Sequence, residues 1–112
     1  AEAAAQLIDS AQPLLVSELI LAETAYVLSS VYEAPRHAVV DTLIAFLQRR
    51  NIRLLTLPKP LALDALRLCR DSKRHSFADA LLWAQARHSD FPTLHTFDKR
   101  FPRAGLTVIS LR

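Results

Sequence analysis

A chain of 112 residues suffices for one hydrophobic core and is short for two, so a single domain over residues 1–112 is expected. Its 51% hydrophobic content excludes a disordered segment, and its one cysteine excludes both an intramolecular disulfide and a cysteine-based zinc site. No apolar run approaches the roughly 20 residues that cross a bilayer, which with the cysteine usage points to a reducing, cytoplasmic setting and no membrane, while the formal charge of +3 favours polyanionic partners.

In chain order, the first residues read as a helix whose end carries Asp9. Leu14-Leu15-Val16, an apolar run after Pro13, predicts a short buried strand. A helix follows from about Ser17 to Val31, with Leu19, Ile20, Tyr26 and Val27 spaced as its buried side. Pro35 opens a second helix where a missing N–H costs nothing, and Val39, Val40, Leu43, Ile44 and Leu47 form its stripe. Ile52 to Leu57 predicts a strand closed by Pro58, and Pro60 begins a helix through Cys69. After a polar break, Ser76 starts another helix, and Thr93 to Thr96 and Thr107 to Leu111 read as strands. Strands alternating with helices predict an α/β domain with a mostly parallel central sheet flanked by helices.

The residues that carry chemistry are acids. Glu23 lies among apolar neighbours one helical turn away, where an unpaired charge is costly. Structural pairing explains such a carboxylate as well as a bound cation does. Asp79 stands three residues after Ser76, a spacing that also makes a helix cap. Asp98 follows a predicted strand, where turns favour Asp but where open α/β sheets also place ligands. Brought to one edge, the three would repel unless a cation neutralised them, and hard oxygen donors suit Mg²⁺ or Mn²⁺. The single glycine, Gly105, excludes glycine-rich phosphate loops and a G-x-S-x-G nucleophile turn. His37, His75, His88 and His95 show no zinc-type spacing.

Three segments in order, Val16-Ser17-Glu18-Leu19-Ile20-Leu21-Ala22-Glu23-Thr24, Ser76-Phe77-Ala78-Asp79-Ala80-Leu81-Leu82 and Thr96-Phe97-Asp98-Lys99-Arg100-Phe101, resemble successive signatures of PIN-domain ribonucleases of the VapC toxin type. The resemblance spans nearly the whole chain. It implies a PIN-like fold, a metal site at Glu23, Asp79 and Asp98 with Thr96 as a polar support, Mg²⁺ or Mn²⁺ as cofactor, and hydrolysis of RNA phosphodiester bonds. It also implies control by a VapB-type antitoxin and a possible homodimer. Lys73, Arg74, Lys99, Arg100 and Arg103 are the expected RNA-backbone contacts, because phosphates demand charge rather than base-specific groups.

Two departures from the family pattern shape the expectation. Similar proteins begin with a central strand bearing an aspartate, and this strand is expected to be absent from the chain; Asp9 does not match it. Many relatives carry a further acid where Ser76 stands. The alternative is therefore a catalytically inactive PIN-like module that binds protein. A phosphoryl-transfer enzyme of another α/β type is disfavoured by the missing glycine-rich loop.

Overall fold

Ser17 and Ser76 show how local chemistry sets the elements of this computed structural model, which describes residues 2–111. Each serine sits in extended backbone and accepts a hydrogen bond at the start of a helix, Ser17 Oγ from Leu19 N at 3.1 Å and Ser76 Oγ from Asp79 N at 3.0 Å. In chain order the elements are α1 (Glu2–Asp9), β1 (Leu14–Val16), α2 (Glu18–Ser30), α3 (Arg36–Leu47), β2 (Ile52–Leu54), α4 (Lys59–Leu68), α5 (Phe77–His88), β3 (Thr93–Thr96) and β4 (Thr107–Ser110). Pro35 and Pro58 precede α3 and α4, where a residue without an N–H leaves no intrahelical bond unmade. Helix α2 ends as the chain turns through Glu33 at φ 55°, with Ala34 N donating to Leu28 O.

The strands are parallel throughout, as expected, but they form two pairs rather than one sheet. β1 pairs with β2, Leu14 opposite Ile52 and Val16 opposite Leu54, and β3 pairs with β4, Thr93 opposite Thr107 and Thr96 opposite Ser110. Among the described residues no strand joins the pairs. The expected strand from Ile52 to Leu57 stops at Leu54, because Thr56 N and Leu57 N turn away to bond the Glu18 carboxylate.

Helices α2, α3, α4 and α5 pack on one another, with Leu47, Ile52, Leu66, Val39, Val40 and Cys69 the largest fully buried side chains. Cys69 is a free thiol, and burial pushes its pKa up. The α3 stripe is as expected, except that Ile44 is only half-buried. Helix α2 is turned the other way: Leu19 is 74% exposed and Ile20, Tyr26 and Val27 also face out, while Leu21, Ala25 and Glu18 face in. Trp83 is a packing residue, buried with its indole N–H donating to Ala104 O at 2.9 Å. Phe77 and Phe101 are likewise core, but Phe97 is 66% exposed.

Candidate functional site

Asp79 and Asp98 come from different elements and lie close enough for their carboxyl groups to interact. The first turn of α5 carries Asp79, and the turn after β3 carries Asp98. Asp98 is held by its own loop: its N–H donates to Thr96 Oγ1 at 3.0 Å, and its Oδ1 accepts from Arg100 N at 2.9 Å. These bonds fix the carboxylate at the carboxyl end of a parallel strand, where open α/β sheets place ligands. Thr96 thus shapes the loop that presents Asp98.

The loop entering α5 is fixed from elsewhere in the chain. Arg36 Nη1 donates to Cys69 O at 3.1 Å and to His75 O at 3.0 Å, and its guanidinium stacks 4.7 Å from the Phe77 ring centroid. Asp79 is half-buried at the end of this clamp. Burial raises its carboxyl pKa, and the negative charge of Asp98 raises it further; the Ser76 hydroxyl and the nearby His75 offset part of that rise. A carboxylate pair of this kind attracts cations.

Hard oxygen donors without thiolate fit Mg²⁺ or Mn²⁺ as two ligands of a site. Glu23 is exposed on α2, and among the described residues no three His, Cys, Asp or Glu side chains gather closely enough to hold one ion. The basic residues around the pair are mostly open to solvent: Lys73 and Arg74 lie in the loop before α5, and Lys99 and Arg100 follow Asp98. Arg103 is exposed but engaged, with Nη1 donating to Val108 O at 3.2 Å.

One acid escaped the sequence reading. Glu18, 3% exposed, accepts from Thr56 N at 3.0 Å, Thr56 Oγ1 at 2.8 Å and Leu57 N at 2.6 Å. Burial pushes its pKa up, but these hydrogen bonds, with one from its own backbone, outweigh burial and hold it below the ordinary Glu range. Gln85 on α5 also donates to Thr56 Oγ1, so this carboxylate ties α2, the end of β2 and α5 together. An acid in the first turn of a helix normally marks only the helix dipole, and nothing in the sequence signals its partners.

Parallel strands flanked by helices, with a carboxylate pair beyond one strand's carboxyl end, define an α/β domain with an acidic site at a strand end. The PIN domain model matches residues 1–106, and the chain belongs to the PIN domain family. No curated protein and no solved structure matches it.

Proposed function

We propose that the protein is a metal-dependent ribonuclease of the VapC toxin type, hydrolysing RNA phosphodiester bonds in the cytoplasm under the control of a VapB-type antitoxin. The observation that carries this reading is the juxtaposition of Asp79 and Asp98, with Asp79 pushed towards its protonated form by burial and by its neighbour. Membership of the PIN domain family supports it.

In this reading Asp79 and Asp98 are the side chains that would hold Mg²⁺ or Mn²⁺, and Glu23, exposed on α2 and not gathered with them, would act on the site only from a distance. The bound ion supplies positive charge to the phosphate as negative charge develops there. Thr96 keeps Asp98 aimed through the hydrogen bond to its N–H. Lys73, Arg74, Lys99, Arg100 and Arg103 hold flanking phosphates by charge. The open edges of the two strand pairs suit pairing with a further strand, since proteins rarely leave such edges bare, and an aspartate on that strand is what the family resemblance implies.

The test is cleavage of a panel of transfer and ribosomal RNAs with Mg²⁺, with Mn²⁺ and with chelator. Activity that needs the metal and falls at least about 100-fold in Asp79→Asn and Asp98→Asn is expected. Metal-independent cleavage, or full activity in both variants, would defeat the reading.

A second reading, a catalytically inactive module that binds protein, is favoured by the outward apolar side of α2, where Leu19, Ile20, Tyr26 and Val27 meet solvent. Absence of cleavage under every metal condition, together with a partner lost on Leu19→Lys, would select it. An antitoxin or a second copy of the chain are the partners this surface is proposed to serve.

A further inference from the structure

Arg50 and Arg53 lie in and just before β2, on elements other than those that carry Asp79 and Asp98. Arg53 is the middle residue of β2 and lies opposite Leu15; both point to the outer, exposed face, because their strand neighbours Leu14, Val16, Ile52 and Leu54 turn inward. Arg50 belongs to the turn that delivers β2.

Two clefts meet at these arginines. One, of about 420 Å³, is lined by Arg49, Arg50 and Arg53 together with Ser10 and Asn51; the other, of about 410 Å³, sets Arg50, Arg53 and Lys59 beside apolar residues of β1, β2 and the turn after it, such as Leu15 and Leu57. Among the described residues Asp9 is the one acid lining either, and it is already paired with Arg49. Lys59 Nζ is turned onto Arg49 O at 2.6 Å, whereas among the described residues neither Arg50 nor Arg53 makes an ion pair or a side-chain hydrogen bond. Arg49 Nε is buried without a partner, a donor left over in a wall already rich in cations.

An excess of fixed positive charge with free guanidinium forks on an open ridge is what phosphodiester groups recognise: each fork can take two phosphate oxygens, and no base-reading geometry is required. We propose that Arg50 and Arg53, backed by Arg49 and Lys59, form a second phosphate-binding surface that holds the backbone of a structured RNA on elements other than those of the acid pair. This rests on the ribonuclease reading for the identity of the polyanion, but the surface binds whether or not the acid pair cuts. An acidic protein segment is the competing occupant. The openness of both clefts and the absence of an aromatic anchor among their lining residues favour the nucleic-acid backbone.

The test uses the full chain in chelator, so that binding is read without cleavage, with a fluorescently labelled RNA hairpin titrated across a salt series. Arg50→Glu with Arg53→Glu should weaken binding at least about 10-fold and flatten the dependence of log Kd on log salt by about 1.5, the share of two released counterions. Arg50→Gln with Arg53→Gln should give the same direction with a smaller loss, and circular dichroism checks that both variants fold. Unchanged Kd and slope in both variants would overturn the proposal. So would hairpin binding that is unaffected while binding of polyglutamate is lost, which would assign the surface to an acidic protein. Metal-dependent cleavage is measured in parallel on the wild type: no cleavage with arginine-dependent RNA binding intact would sink the nuclease reading and support this surface.

Discussion

Removing the Glu18 carboxylate strands two backbone donors, Thr56 N–H and Leu57 N–H, in the space where α2 meets the end of β2. An unmet buried donor costs about 1–3 kcal/mol, so Glu18→Ala should lower stability at neutral pH by about 3 kcal/mol in denaturant titrations. Glu18→Gln keeps an acceptor and should lose less; equal stability of Glu18→Ala and the wild type would show that water replaces the carboxylate. Because the folded pKa lies below the ordinary Glu value, the stability that ionised Glu18 confers is present above that ordinary value. It is lost as pH falls through the depressed one. Asp79 has the opposite sign. Its raised pKa means that ionisation works against the fold, so the penalty is absent below the ordinary Asp range and grows as pH rises through the folded value. Asp98→Asn removes the neighbouring charge and leaves Ser76 capping α5. It should lower the Asp79 carboxyl titration seen by NMR and stabilise the metal-free protein by up to about 1 kcal/mol at pH 7, an advantage that shrinks in acid. An unmoved Asp79 titration would mean that burial alone raises it.

At the scale of the element, α5 depends on its first turn. Ser76→Ala deletes the acceptor for Asp79 N and should cost about 1 kcal/mol in thermal or chemical unfolding, while Ser76→Asp, which also caps, should restore most of it. A silent Ser76→Ala would show that α4 and the Arg36 clamp hold the turn unaided. This cap was legible in the sequence, as were the prolines before α3 and α4 and the parallel pairing of short apolar strands, because each rests on local backbone chemistry. The outward face of α2 was not. Leu19, Ile20, Tyr26 and Val27 have the spacing of a buried stripe, and only the placement of Leu21 and Ala25 against the other helices decides which side turns in. Tertiary partners outside the segment set that choice. The Glu18 anchor was hidden for the same reason, its partners lying 38 and 39 residues away. The sequence placed Glu23, Asp79 and Asp98 together at one edge, from two strand ends and a helix start; Asp79 and Asp98 lie near each other, but Glu23 is exposed on α2 and does not gather with them, because its place depends on how α2 packs.

Across the whole molecule, extents of 47 × 33 × 18 Å describe a slab, and its Cα radius of gyration of 14.8 Å exceeds the about 13 Å of a compact domain this size. The core lies among the helices, with β1–β2 against α3; β3–β4 joins it through the partly buried Leu94, Leu106 and Val108. Strands with open edges and one exposed face are held by fewer buried contacts than the helices. Native-state hydrogen exchange should therefore find the slowest amides in α3 and α4, around Leu47 and Leu66, and markedly faster ones in β3 and β4. Uniform protection across all four segments would show that the molecule opens only as a unit. Gly105, at φ 76° in the approach to β4, should tolerate no side chain without strain: Gly105→Ala is expected to cost about 1 kcal/mol and to loosen β4 first.

Cys69 turns this unevenness into something that can be timed. It is the chain's single thiol, wholly buried at the end of α4, with little thiolate while the helices stay packed. A maleimide or disulfide reagent can reach it only when α4 parts from the helices packed on it, α3 and α5, so the labelling rate in the unmodified protein follows the opening of that helical core. Anything that clasps the helices together, whether a bound ion, an RNA or a partner protein, slows the reaction by the factor by which it suppresses opening.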